Sequence, residues 1–278
     1  MWRLSASLII AKPRRVFGED ECDYELCFVR RSSKSRFLPN ACVFPGGVVD
    51  ESDYTSTGEV CRVAALRETF EETGIVFEPS GTRVLLAKDR VGVSANMHIV
   101  NVILPLCEWK TPSDEALRLG PKGGFRTEFF LHVIKEDNII GETDNTETSQ
   151  VFWLSPNDIQ NTKHAFPFPQ RYILDELAQC KKIANLSVLV FQLHKGLFRY
   201  PYYPDFVIDQ TIPPNQICYA MPGDICHSTY KPLAGAKWMH RGYYCRKTGT
   251  PVKFLRSHEL TLAATNYTDW CSYVHSSL

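Results

Sequence analysis

The stretch FPGGVVDESDYTSTGEVCRVAALRETFEETGI, Phe44 to Ile75, decides how the chain is read. It opens on a glycine pair, crosses a polar loop, and continues into a segment whose apolar positions recur at helical spacing. Val63, Leu66 and Phe70 fall on one face of a helix predicted over residues 57–73. Thr55, Ser56 or Thr57 can cap its start, and Gly74 can supply a left-handed stop. A helix advances about 100° per residue, so Glu68 and Glu72 stack one turn apart and Glu71 lies within about a quarter turn of them. Three carboxylates so placed repel one another and call for a compensating cation. Oxygen ligands on a rigid element suit Mg²⁺ or Mn²⁺, hard ions that keep waters and bridge to phosphates. For a bare ExxEE, a solvated acidic face is the ordinary explanation.

The wider context favours the cation. The segment resembles the signature of the Nudix hydrolases, G-x5-E-x7-REUxEExGU with U aliphatic. Gly47 opens it, Glu59 stands eight places before Arg67, and Arg67-Glu68, Glu71-Glu72, Gly74 and Ile75 close it. Counted to Glu59, the loop holds six extra residues, a length that chain entropy tolerates cheaply. Thr69 occupies a place that is usually apolar.

The resemblance implies an α/β (α+β) fold, the Nudix α/β/α sandwich with a mixed sheet. It implies that Glu68 and Glu72 are the main metal ligands, that Glu71 and the Gly47 carbonyl assist, and that Arg67 holds the carboxylates by a salt bridge, with Glu59 a lesser helper. Such a site supports attack of water on one phosphorus of a diphosphate, activated by Mg²⁺ or Mn²⁺. A carboxylate must accept the water's proton, and Glu68 or Glu71 is the expected base.

Upstream, RRSSKSRFLPNACVFPGG resembles the coenzyme A motif of the Nudix coenzyme A diphosphatases. Arg31, Ser32, Arg36 and Phe44 fall in register as substrate-binding residues, and Asn40 replaces a glycine. Two arginines five apart make a clamp suited to an additional phosphate, such as the 3′-phosphate of coenzyme A; a basic surface turn is the plainer alternative. The wider resemblance is to peroxisomal coenzyme A diphosphatases of the Nudix-19 type. It rests on the box insertion, Trp109–Pro112, Thr127–Leu131, Pro167–Gln170 and Met221–Asp224. It implies cleavage of coenzyme A or acyl-coenzyme A to 3′,5′-ADP and 4′-phosphopantetheine or its acylated form. NADH or ADP-ribose as substrate, and a non-catalytic binding module, are the competing readings.

Composition narrows the class. Of 278 residues 44% are hydrophobic and 22% charged, ordinary for a globular protein, and Lys plus Arg balance Asp plus Glu at 31 each. No global field then draws the chain to nucleic acid or anionic lipid. No apolar run approaches the ~20 residues that span a bilayer, so membrane insertion is not expected. The ten cysteines lack paired spacing and read as reduced thiols. The end, Ser276-Ser277-Leu278, resembles the tripeptide read by the peroxisomal import receptor, with Ser277 in the basic position. Peroxisomal residence is the expectation, cytoplasmic the alternative.

Strands are predicted at 4–11 and 25–30 as hairpin partners, and at 83–86, 98–104, 128–134 and 150–154, with a short helix opening at Ser155. A domain boundary is predicted near Asn161, giving a domain of 1–160 and an extension of 161–278. The extension reads as one helix over 169–195 and then short strands. Phe166, Phe168 and Tyr172 are candidates to line a pocket for an acyl chain, against the plainer reading of core packing.

Overall fold

The computed structural model describes residues 2–35, 38–55, 58–78, 84–86, 96–112, 123–143, 148–159, 162, 164–196, 201–222, 224, 226–228, 240–245 and 251–256. Its strands are β1 (Arg3–Pro13), β2 (Tyr24–Arg31), β3 (Cys42–Val43), β4 (Gly46–Val48), β5 (Ile75–Phe77), β6 (Val84–Leu86), β7 (Leu104–Lys110), β8 (Phe125–Val133), β9 (Thr148–Leu154), β10 (Asp205–Val207), β11 (Gln216–Ala220), β12 (His240–Cys245) and β13 (Pro251–Arg256). Its α-helices are α1 (Val60–Thr73), α2 (Pro156–Ile159), α3 (Phe168–Leu177) and α4 (Ile183–Lys195).

The chain forms two compact units. One comprises Leu4–Leu106 and Thr127–Phe191; the other comprises Met1–Arg3, Cys107–Arg126 and Gln192–Leu278. The boundary expected near Asn161 therefore moves, because α3 and most of α4 belong with α1. Two bonds show why: Tyr24 Oη donates to the Leu177 carbonyl at 2.7 Å, and the Phe44 N–H donates to Gln170 Oε1 at 2.9 Å.

The first unit is built on a sheet in which β3, β2, β1 and β8 lie in that order, with β4 also on β1 and β9 also on β2. β1 and β2 are antiparallel partners, Ala11 facing Leu26 and Pro13 facing Tyr24, as their sequence predicts. β1 and β8 run parallel: Ser5 Oγ meets Thr127 Oγ1 at 2.6 Å, and further along both strands the Ile134 N–H donates to the Ala11 carbonyl. The sheet is thus mixed, the class expected. Alternation sends side chains to opposite faces. Ala6, Leu8, Ile10, Cys27 and Val29 pack with Val63, Leu66 and Phe130 on the α1 face. On the other face Phe28 stacks on Phe44 with ring centres 5.1 Å apart and meets the edge of Phe166 at the same distance. Only Pro45 separates Phe44 from the glycine pair, so this aromatic packing helps fix where the pair enters the sheet.

α1 begins at Val60, later than predicted, after Glu59, whose side chain makes no capping bond. Ser56 and Thr57, two of the three expected caps, lie outside the described residues. The helix ends as expected: Gly74 takes φ 68° and its N–H closes on the Phe70 carbonyl. Thr69 is buried without cost because its hydroxyl donates back to the Ala65 carbonyl at 2.7 Å.

Two expectations are corrected. Residues 98–104 form a 3-10 turn at Met97–Ile99 and further turns, and the strand starts only at Leu104. The apolar run was misleading because Arg62 reaches over from α1 and donates to the carbonyls of Val100 and Ile103, a role that strand pairing would otherwise fill. The helix predicted over 169–195 is broken between α3 and α4. There Cys22 Sγ lies against the Ala178 and Cys180 carbonyls, and Asp23 accepts from the Ile183 N–H at 2.6 Å.

The second unit carries a four-stranded antiparallel sheet of order β10-β11-β12-β13. Asp224 is fully buried there and accepts from Arg241 Nε at 2.9 Å and from the N–H groups of His240 and Cys226. Among the described residues no helix is long and apolar enough to cross a membrane.

Candidate active site

Gly46 and Gly47 are glycines for steric reasons. A Cβ on Gly46, at φ 157°, would lie 2.3 Å from the Ala6 carbonyl oxygen. A Cβ on Gly47 would lie 2.4 Å from Glu68 Cδ. The Glu68 carboxylate therefore rests directly against the Gly47 backbone, where any side chain would expel it. One turn along α1, Glu72 Oε2 accepts from the Gly46 N–H at 2.9 Å and is almost wholly buried. Beside it the Cys27 thiol is pushed well above its ordinary pKa, first by burial and then by the charge of Glu72.

Arg67 organises the remaining charge. Its Nε and Nη2 form a fork on Asp53 at 2.8 and 2.9 Å, Nη2 also reaches the Val48 carbonyl, and Nη1 reaches Glu68 Oε1 and Glu71 Oε2, each at 2.9 Å. These five contacts match the five N–H donors of a guanidinium. Hydrogen bonding to Asp53, opposed by burial and aided by the charges of Glu68, Asp53 and Glu71, raises the Arg67 pKa far above its usual value.

Asp53 is the residue the sequence reading missed. It is fully buried, and its own position is set by a 3-10 turn in which its Oδ2 also accepts the Asp50 N–H at 2.7 Å while Asp50 accepts from Ser52. Those bonds from Ser52 hold the Asp50 carboxyl below its usual pKa. Glu59, expected as the helper, pairs instead with Arg62 at 2.9 Å, with about half of its side chain exposed. The signal was available: Asp53 follows Gly47 by six positions, the interval the family pattern assigns to its first glutamate. The extra residues thus lie after that acidic position.

The upstream motif is only partly described. Arg31 ends β2, its N–H on the Ala41 carbonyl, and Ser32 opens a turn that Lys34 and Ser35 close back upon it. Arg36 lies outside the described residues, as does Ser276-Ser277-Leu278. Asn40 takes φ 61°, a left-handed conformation, which accounts for an asparagine where the motif has glycine. Phe44 is 1% exposed within the aromatic cluster, so its expected contact with substrate is corrected to a packing role. Phe166, Phe168 and Tyr172 are likewise buried, as core packing requires.

The donor set suits a hard divalent ion. Two carboxylates converge on one glycine turn, Glu68 held in a cradle that any Cβ would fill. Among the described residues no three His, Cys, Asp or Glu side chains form a ready-made cage. A cation bound here would draw its remaining oxygens from backbone, water and phosphate, as Mg²⁺ commonly does.

The family profile described as the NUDT19 Nudix domain matches residues 2–59. A Caenorhabditis elegans protein that carries the name nudix hydrolase 7 is 30% identical over 213 residues, 67% of this chain and 66% of that protein. The chain belongs to the Nudix hydrolase family, of the NUDT19 type. Acyl-coenzyme A diphosphatase NUDT19 of Xenopus laevis is 26% identical, with 85% of this chain and 83% of that protein covered. Its Gallus gallus namesake is 27% identical, with 56% and 61% covered, so the chain spans about two thirds of the nematode and chicken relatives. Among solved structures, a NUDIX hydrolase from Alicyclobacillus acidocaldarius matches at 19% identity and TM-score 0.48, covering 67% of this chain and 96% of that one.

Proposed function

We propose that this Nudix hydrolase cleaves the diphosphate linkage of coenzyme A and acyl-coenzyme A, giving 3′,5′-ADP and 4′-phosphopantetheine or its acylated form. The observation that carries the reading is the convergence of Glu68 and Glu72 on the Gly46-Gly47 turn. The frog and chicken relatives bearing the acyl-coenzyme A diphosphatase name support the substrate.

Bound Mg²⁺ or Mn²⁺ supplies Lewis acidity to the phosphoryl oxygens. Glu68 and Glu72 are the proposed ligands, with Glu71 and the Gly47 carbonyl assisting. Arg67 is a positioning residue: anchored on Asp53, it spaces Glu68 from Glu71 and offsets their repulsion. Arg31, Ser32 and Arg36 are proposed to take the 3′-phosphate. The terminal Ser276-Ser277-Leu278 directs the protein to peroxisomes in this reading.

Product analysis with coenzyme A, an acyl-coenzyme A, NADH and ADP-ribose in Mg²⁺ tests it. Coenzyme A and its acyl ester should be consumed fastest, and Glu72→Gln should abolish metal-stimulated turnover. Preference for NADH or ADP-ribose would move the substrate assignment, and undiminished turnover by Glu72→Gln would remove the site.

A further inference from the structure

Each carboxylate of the acidic helix has a partner in the structure. Glu68 and Glu71 accept from Arg67, and Glu72 accepts from the Gly46 N–H. Those groups are already committed to holding the guanidinium, the glycine turn and the proposed cation. The reaction nevertheless needs a base.

The sheet register supplies another carboxylate. On β4 and β1, Gly47 faces Ala6. On β1 and β8, the Ser5–Thr127 hydroxyl contact puts those two side chains on one face, so Ala6 and Glu128 share the opposite face. That face is the one under α1. Ala6 packs with Val63 and Leu66 of α1, and Phe130, two residues beyond Glu128, lies under the guanidinium of Arg62 at 5.1 Å. Gly47, Ala6 and Glu128 thus form one row across three strands, and the Glu68 carboxylate sits against its first member. Neighbouring strands are about 4.8 Å apart, so the row spans roughly 10 Å between the backbones of Gly47 and Glu128. Ala6, with a single methyl, keeps the middle of the row low. Glu128 is half-buried, and among the described residues no hydrogen bond or ion pair engages its carboxylate.

We propose that Glu128 is a further catalytic residue of this site, the acceptor of the proton from the attacking water. The proposal rests on the diphosphatase reading above. In the step, a lone pair of the water oxygen forms the new P–O bond. The bond from that phosphorus to the bridging oxygen breaks, and its electron pair leaves with the second phosphate. One water proton passes to a Glu128 oxygen and is released to solvent once the products part.

The test compares the full chain with Glu128→Gln, Glu128→Ala and Glu72→Gln variants, measuring turnover of coenzyme A in Mg²⁺, Mn²⁺ binding by electron paramagnetic resonance, and thermal midpoint. Glu128→Gln should lower kcat by about 10²- to 10⁴-fold, the usual contribution of a positioned base, while KM, Mn²⁺ affinity and midpoint stay as in the parent. Formate should restore part of the turnover of Glu128→Ala, an effect that a merely structural role would not produce. Glu72→Gln should instead lose Mn²⁺. Retained kcat in Glu128→Gln, loss of its Mn²⁺ binding, or no restoration by formate would each overturn the proposal while leaving the diphosphatase reading intact. A parent protein that cleaves no diphosphate in Mg²⁺ would bring down both.

Discussion

Replacing Asp53 by alanine removes the anchor of Arg67 and leaves a guanidinium that is 8% exposed without its principal partner. Three hydrogen bonds vanish: two from Arg67 and one from the Asp50 N–H. Removing one member of a buried ion pair costs about 3–5 kcal/mol. Arg67 keeps Glu68, Glu71 and the Val48 carbonyl, which places the loss at the lower end, about 3 kcal/mol. In a chain of this size that corresponds to a fall in thermal midpoint of roughly 6–12 °C. Urea unfolding followed by circular dichroism measures the first quantity and a thermal scan the second. The control is Glu59→Gln, which breaks a half-exposed pair with Arg62 and should cost less than about 1 kcal/mol. Mn²⁺ titration adds a functional readout, since an unanchored Arg67 shifts its charge onto Glu68 and Glu71 and weakens the cation's hold. Equal stability of the Asp53→Ala and Glu59→Gln variants would refute the assignment of Asp53 as the buried anchor.

Other substitutions probe the same construction. Gly47→Ala drives a methyl into the Glu68 carboxylate and should cut turnover by on the order of 100-fold, read from steady-state kinetics, with a near-native circular dichroism spectrum. Gln170→Ala strips the acceptor from the buried Phe44 N–H and should cost about 1–3 kcal/mol in urea unfolding. The Cys42 thiol is pushed up to about 11 by burial. The folded state therefore keeps a proton that the unfolded chain loses near its ordinary value, so this contribution is complete at neutral pH and is lost as pH rises toward 11. Urea midpoints at rising alkaline pH should fall, and less steeply in Cys42→Ala.

The paired glycines, the acidic triplet and Gly74 were legible because each is a local demand: a close approach, a helical interval, a left-handed stop. The β1–β2 hairpin was legible for the same kind of reason, as alternation and a charged turn are read within one stretch of chain. Asp53 was missed through a preference for glutamate over spacing. Chemistry at Arg67 asks only for a carboxylate at the right remove, and the shorter side chain serves because the 3-10 turn brings its backbone close. The strand predicted at 98–104 failed because Arg62, remote in sequence, satisfies the carbonyls there. The place of Glu128 depends on a parallel register between segments more than a hundred residues apart, which no local pattern carries. The packing of Phe44 needed the partners Phe28 and Phe129, again distant.

The Asp50–Asp53 turn clamps the chain just before the extra residues begin, so the arginine anchor stands in sequence between that loop and the glycine cradle. Tyr54, the next residue and two-thirds exposed, stands at that joint. A spin label there would ride one residue away from the arginine anchor yet outside every proposed ligand. Its spectrum could register the arrival of a cation without disturbing it, giving the loop a use as a reporter position.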